Sequence, residues 1–276
     1  MPELPEVETI RQDLIEQVKG KTIFDIRALV PDTIKNISVE AFAEKVRKSQ
    51  IIEIGRRAKV LLFQLSSGYT ILIHLKMTGQ LIYTSSNKPL GKWTRVVFDL
   101  DGGRELRFID MRRFGYIKLV KTEEISSHPD FLEFGPEPLT ADFTLGFFKK
   151  LLMSRPRGRI KPLLMNQSFI AGIGNIYSDE ILHHARVRPL RVVETLTAEE
   201  ISRIYDGIRT ILPAATKQRG SSVNMYVDLE GRQGGYVPYL RVYRREGEPC
   251  YRNDGGIIER IKLGSRSSHF CPVCQR

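Results

Sequence analysis

Cysteine is absent from the first 249 residues; its three copies are Cys250, Cys271 and Cys274. A disulfide framework would spread cysteines through the chain, so this clustering argues against a secreted scaffold and for a metal site. Long apolar runs are also missing, and none approaches the ~18 residues of a membrane span. Neither an internal repeat nor a low-complexity tract is present, which excludes a solenoid or a tail-like chain. Acidic residues are in short supply, with 32 Asp and Glu against 43 Lys and Arg, a formal charge of +11. That imbalance favours a polyanionic partner, nucleic acid or an anionic membrane surface. The start, Met1-Pro2-Glu3-Leu4-Pro5-Glu6-Val7-Glu8, has no secretory pattern. The expectation is an uncleaved cytoplasmic protein.

What is present begins at residue 2. A small second residue lets the initiator methionine be trimmed, leaving Pro2 as a free secondary amine. An α-amino group titrates at about 7.7–8.0, against about 10.4 for lysine. Near neutral pH much of it is therefore uncharged and able to form an imine with a carbonyl-like carbon. Glu3 stands next to it as a proton carrier. A lone Met-Pro reads as a disordered start, but this run leads straight into an amphipathic helix, so a pinned terminus is expected.

Val7, Ile10, Leu14 and Val18 fall at helical spacing over 6–18, and Gly20 ends the helix. Short β-like runs follow at 22–30, 51–54, 60–65, 69–75, 96–100, 105–109 and 116–120, with a helix expected over 41–48. Ser66-Ser67-Gly68 and Asp101-Gly102-Gly103 separate runs as turns. Many short strands with close turns indicate a sandwich or a barrel. Near Ser126 the pattern becomes helical, with helices expected at 142–153, 160–165, 175–185 and 198–218. Thr197-Ala198-Glu199-Glu200 is a capping box for the last. Residues 239–243 read as β-like again before the cysteines. The class is α+β.

Four further groups carry chemistry. Gly172-Ile173-Gly174-Asn175 brings backbone close to a ligand and opens a helix, a phosphate-binding arrangement; alone it is also an ordinary loop-to-helix turn. Lys59 opens a strand after Arg56-Arg57-Ala58, and read alone is part of a solvated basic cluster. Met77, Arg112 and Phe114 read alone as two core residues and a surface charge. Gly115 fits a tight turn that presents the Phe114 ring. Cys271-Pro272-Val273-Cys274 is a metal knuckle, but Cys250-Tyr251-Arg252-Asn253 is half of one.

MPELPEVETI, Arg112 to Phe114, and Gly172 to Glu180 together resemble the bacterial formamidopyrimidine-DNA glycosylases, which excise oxidised purines such as 8-oxoguanine. The resemblance runs in order from Pro2 to the final Cys-x-x-Cys. Leu4, where the related endonuclease VIII branch typically has glycine, favours the formamidopyrimidine side. It implies an N-terminal β-sandwich catalytic domain with flanking helices (1–125). A helix–two-turn–helix domain with a lesion-capping loop (126–234) and a zinc-finger-like hairpin (235–276) would follow. It implies Pro2 as nucleophile, Glu3 as proton-transfer residue, and Lys59 and Arg266 as aids to elimination. DNA contacts fall on Met77, Arg112, Phe114, Arg157, Asn175 and Arg266, and substrate contacts on Glu6, Ser221, Ser222 and Tyr226. The partner would be damaged double-stranded DNA, with no membrane and no second copy, in a nucleoid-associated bacterial setting.

The chain also departs from the family. Asn253 stands where the first knuckle has its second cysteine. Zinc on Cys250, Cys271 and Cys274 would need Asp254 or His269 as a fourth ligand, and a finger held by packing alone is the alternative. Trp93-Thr94-Arg95 replaces a histidine-bearing stretch, and Asn224-Met225 is unusual in the capping loop. Three rivals stay open: an oxidised-pyrimidine glycosylase; a non-catalytic damage-binding protein, to which the incomplete knuckle gives weight; and an RNA-binding protein, allowed by charge alone.

Overall fold

The computed structural model describes residues 1–276, the side chain of Asp130 excepted. Contacts divide the chain into two units: Met1–Leu132 with Gln218–Val237, and Glu133–Lys217 with Pro238–Arg276. The chain thus visits each unit twice. This grouping differs from divisions at residues 125 and 234, because 218–237 packs with the strands rather than the helices.

In the first unit, α1 (Leu4–Gln17) turns Val7, Ile10 and Leu14 into the core, with Val18 just beyond its end; all four are fully buried. The strands β1 (Thr22–Ala28), β2 (Ser49–Arg57), β3 (Val60–Leu65), β4 (Tyr69–His74), β5 (Gly79–Ser85), β6 (Thr94–Leu100), β7 (Arg104–Asp110) and β8 (Tyr116–Lys121) pair in the order β5-β7-β6-β1-β2-β3-β4-β8. All pairings are antiparallel. Between β1 and β2 only Thr22↔Gln50 and Ile23↔Ser49 are in register. There the run of strands folds over on itself into a sandwich. Ile23, Phe98, Leu100 and Leu106 from one half face Phe63, Ile71 and Ile73 from the other across a shared interior. Helix α2 (Val39–Val46), capped by the Ser38 hydroxyl, adds Phe42 and Val46 to this core, and α3 (Pro129–Leu132) closes the first pass.

Strand β5 went unpredicted, yet it pairs with β7 along seven residues, from Gly79↔Asp110 to Ser85↔Arg104. Its own Leu81 is also fully buried in the core. The returning segment completes this unit. Leu229 and Tyr226 enter the core, and the Leu229 carbonyl accepts from the Tyr83 amide at 2.9 Å.

The second unit holds α4 (Leu145–Met153), α5 (Ile160–Met165), α6 (Asn175–Ala185), α7 (Ala198–Lys217) and the hairpin β9 (Glu259–Leu263)–β10 (Arg266–Phe270). Helix α6 is buried on nearly every side. Residues 239–243 are not the expected strand but a turn and bends, for a reason that lies in α6. The Glu180 carboxylate accepts the amides of Arg241, Val242 and Tyr243 at 2.8–3.0 Å, drawing off donors that a strand would spend on a neighbour. Among the described residues no helix is long and apolar enough to cross a membrane.

Arg219 ties the returning segment down. Its guanidinium meets Asp13 at 2.6 Å and Asp228 at 2.7 Å, and both carboxylates are buried. Burial would raise the Asp228 carboxyl, but the Arg232 amide and the Arg219 guanidinium outweigh it and hold it below the ordinary range. A depressed carboxyl contributes stability above its unfolded pKa and loses it as pH falls through the folded value. Arg219→Ala should therefore cost about 2–3 kcal/mol in urea unfolding at neutral pH, less than a fully buried pair because the guanidinium is part-exposed. The deficit should shrink below about pH 4, where Asp228 protonates in the unfolded chain.

Candidate active site and DNA-contact residues

Pro2 is buried, and Glu3 is only 3% exposed. Glu3 is the N-cap of α1, and the first turn closes by a reciprocal capping box with Glu6. The Glu3 amide donates to Glu6 Oε2 at 2.8 Å. The other oxygen, Oε1, accepts from the Ser221 amide at 2.8 Å and its hydroxyl at 3.2 Å. One buried carboxylate thereby joins the chain start to the returning segment. Gly220 makes this approach possible. At φ +77° its Cβ would lie 2.8 Å from Glu6, so glycine is required on both counts.

Lys59 reaches the same end of α1 by a two-residue hairpin. Arg57 pairs with Val60, and Ala58 takes φ +52° at the turn. Lys59 itself is 3% exposed, which removes it from any solvated basic cluster. Arg56 docks the turn against the helix, donating to Glu8 at 3.0 Å and to the Ala58 carbonyl at 2.7 Å. Burial would raise the Glu8 carboxyl, but Arg11 and then Arg56 overcome it and hold it below its usual value.

The capping-loop residues are held by bonds within the protein. Ser221 is spent on Glu6. The Ser222 hydroxyl donates to the Tyr226 carbonyl at 2.7 Å and accepts from the Gly234 amide at 2.8 Å. Tyr226 lies in the hydrophobic core, where burial and then the Glu6 charge push its phenol upward. Asn224 and Met225 are the exposed residues of this loop.

Met77, Arg112 and Phe114 come together on two neighbouring loops, β4–β5 and β7–β8. Met77 is 39% and Phe114 52% exposed, so neither is a core residue. The Arg112 guanidinium lies 4.7 Å from the Phe114 ring centre. Gly115 is obligatory, since a Cβ would sit 2.6 Å from Phe108 and 3.1 Å from the His74 carbonyl.

In the second unit, Asn175 is the first residue of α6, behind Gly174 as N-cap, and Gly172 takes φ +87°. The side-chain oxygen of Asn175 is buried without a hydrogen bond. Gln167, unnoticed in the sequence, holds this loop by both ends of its amide, to the Ile173 carbonyl at 2.7 Å and from the Gly172 amide at 2.9 Å. Arg157 is exposed on the α4–α5 connection, and Arg266 is exposed at the start of β10. Behind Arg266 lies a fully buried ion pair, Lys161–Asp179, at 2.7 Å. Lys161 donates to the Ser267 carbonyl at 3.1 Å, while Asp179 accepts from the Ser268 hydroxyl at 2.7 Å and the His269 amide at 3.0 Å. The β-hairpin is thus bolted to α5 and α6.

The cysteines gather with Asp254, not with His269. One ligand atom from each of Cys250, Asp254, Cys271 and Cys274 lies within 4.8 Å of the others, whereas His269 Nδ1 faces Asp179 at 3.2 Å. Cys250 and Cys274 sulfurs are 4.0 Å apart, and Asp254 Oδ2 lies 3.5 Å from Cys271 Sγ. A tetrahedral zinc ion with Zn–S bonds of about 2.3 Å requires sulfurs about 3.8 Å apart, so the four donors fit it. Gly256 is part of the fit, because a Cβ there would stand 2.4 Å from Cys271 Sγ. Burial, then crowding by Cys271 and Asp254, pushes the Cys274 thiol up to about 12. A bound cation would reverse that. Arg252 donates to Cys274 Sγ at 3.2 Å and to His183 Nε2 at 2.8 Å. Burial and then the Arg252 charge push His183 down to about 3, leaving its ring neutral to accept that bond.

The N-terminal domain family of formamidopyrimidine-DNA glycosylase matches residues 1–117, and the H2TH domain family of the same enzyme matches 134–227. A zinc finger found in FPG and IleRS matches 255–276. A formamidopyrimidine-DNA glycosylase from Pelotomaculum thermopropionicum is 46% identical over 276 residues, covering 100% of this chain and 99% of the relative. Its counterpart in Desulforamulus reducens is 45% identical over 277 residues, with 100% and 99% covered. A Lactococcus lactis FPG mutant, solved in complex with Fapy-dG containing DNA, superposes with a TM-score of 0.92 at 35% identity and 100% coverage of both chains. The same species' Fpg with abasic-site DNA gives 0.92 at 34% identity and 99% coverage of each. With its sandwich, its phosphate-type helix start and its cysteine cluster all in the matching order, the chain belongs to the formamidopyrimidine-DNA glycosylase family.

Proposed function

We propose that this protein is a bifunctional DNA glycosylase and abasic-site lyase that removes oxidised purines from duplex DNA in base excision repair. The observation that carries the reading is the fixed chain start. Pro2 and Glu3 are buried at the head of α1 and held there by Glu6. A structural start would not need such anchoring.

Once Met1 is trimmed, the Pro2 nitrogen attacks C1′ of the damaged nucleotide. The C1′–N bond breaks, and its electron pair leaves with the base. The Pro2 N–H proton is lost, Glu3 protonates the ring oxygen, and the C1′–O4′ bond breaks as the Pro2 nitrogen lone pair forms the C1′ iminium. The resulting iminium acidifies C2′, and loss of a C2′ proton expels the 3′ phosphate; a second elimination expels the 5′ phosphate. Lys59 and Arg266 stabilise the departing phosphates. Met77, Arg112 and Phe114 fill the space vacated by the base. Asn175, at a helix start, and Arg157 hold backbone phosphates. Glu6, Ser221, Ser222 and Tyr226 shape the wall of the base pocket, with Glu6 as its anchor. The protein acts on damaged double-stranded DNA as a monomer in the bacterial cytoplasm. Zinc bound by Cys250, Asp254, Cys271 and Cys274 supplies structure only, fixing the β9–β10 hairpin that presents Arg266.

Borohydride trapping on duplex DNA with 8-oxoguanine opposite cytosine tests the chemistry. The expected adduct maps to residue 2, and Glu3→Gln lowers base release by roughly 10²–10⁴-fold. A processed terminus that gives no adduct, even on an abasic duplex, overturns the reading. For the metal, elemental analysis of the purified protein should find zinc. Asp254→Ala should lower the content and Asp254→Cys restore it; a zinc-free wild type, prepared without chelator, refutes the assignment.

A further inference from the structure

Asp110 is fully buried, and the chemistry above makes no use of it. Its carboxylate is bound by neutral donors from both wedge loops. Oδ1 accepts from the Thr78 hydroxyl and from the Arg112 amide, the latter at 3.2 Å. Oδ2 accepts from the Gly115 amide at 2.7 Å. Thr78 Oγ1 in turn accepts from the Arg112 amide at 3.1 Å. Thr78 follows Met77 and Gly115 follows Phe114, so one carboxylate ties down the Thr78 side chain beside Met77, the backbone of Arg112 itself and the backbone just after Phe114.

Asp110 is itself held from strand β6 and the residue just before it. The Asp110 amide donates to the Trp93 carbonyl at 2.9 Å. Arg95, also buried, donates Nε to the Asp110 carbonyl at 2.7 Å. A side chain inserted into a base stack is pushed back by the stacking it disrupts. Exposed loops yield to such a load unless their backbone is fixed from beneath. A buried carboxylate costs free energy unless its hydrogen bonds are complete, and here those bonds go to the wedge loops.

We propose that Asp110 is a positioning residue for base extrusion, locking the Met77 loop and the Arg112–Phe114 loop into a single rigid wedge. The inference rests on the glycosylase reading. Asp110→Asn tests it, because the amide keeps one acceptor oxygen and its NH2 must face either the Gly115 amide or the Arg112 amide, so one of those two bonds is lost. Two readouts are compared with wild type. One is base release from an 8-oxoguanine duplex, with 2-aminopurine beside the lesion reporting extrusion. The other is borohydride trapping on a single-stranded abasic oligonucleotide, which has no stack to wedge apart.

The expected result is a fall of roughly 10–100-fold in duplex base release, as for a lost hydrogen bond to a buried charge. The 2-aminopurine rise slows in parallel, and single-strand trapping stays within about twofold of wild type. Thr78→Val, which removes the Thr78 hydroxyl from Asp110 and from the Arg112 amide but leaves Asp110 bonded to the Arg112 and Gly115 amides, gives a smaller loss of the same kind and carries the test if Asp110→Asn does not fold. Unchanged duplex rates in both variants overturn the inference, as does an equal loss in both assays, which would make Asp110 a mere fold residue. A wild type that neither releases the base nor forms an adduct instead overturns the glycosylase reading and the inference with it.

Discussion

A chain terminus that is to act as a reagent must be held still, and termini are where chains fray. In the chemistry proposed for this protein the terminus has that role, and the Glu6 carboxylate is what holds it. One oxygen closes the first turn of α1 onto Glu3, and the other receives Ser221 from the far end of the sequence. The second contact exists only because Gly220 lacks a Cβ and because Arg219, next to it, is fastened to Asp13 and Asp228. The geometry of Pro2 and Glu3 is therefore set by groups that do no chemistry themselves. Lys59 is brought to the same helix end by a similar device, the Arg56–Glu8 ion pair.

The helical unit repeats the logic with two adjacent carboxylates. Asp179 and Glu180 project about 100° apart around α6 and bind different segments. Asp179 takes Lys161 and the start of β10, and Glu180 takes three successive amides at 241–243. Neither would be stable inside a protein without complete hydrogen bonding, and each is saturated by backbone or a buried cation. The elements carrying Asn175, Arg266 and the cysteine cluster are thereby referred to one helix.

Local signals made much of this legible. The apolar stripe of α1, the bounds of α5 and α6, strand β3 and the Gly-x-Gly helix start are written within a few residues of themselves. What escaped the sequence depends on partners distant along the chain. Strand β5 exists because β7 accepts it in register. Residues 239–243 look β-like, but a carboxylate 60 positions away claims their amides. Ser221 and Tyr226 were legible as a loop pattern, but their engagement with Glu6 and the core required the fold. Asp254 and His269 were equal as ligands on paper; Asp179 decided the matter by binding the histidine. Asp110 left only a faint signal, an acidic residue just ahead of Met111-Arg112-Arg113-Phe114.

The two units alternate along the chain, first, second, first, second. No single genetic breakpoint can therefore release either of them whole. A break after residue 132 strips the sandwich of Arg219, Tyr226 and Leu229, and one after 237 strips the helices of their cysteine-bearing hairpin. Recombination that exchanges neat modules between genes has no seam to use here. Any exchange of one unit as a continuous piece of chain would carry a segment of the other with it.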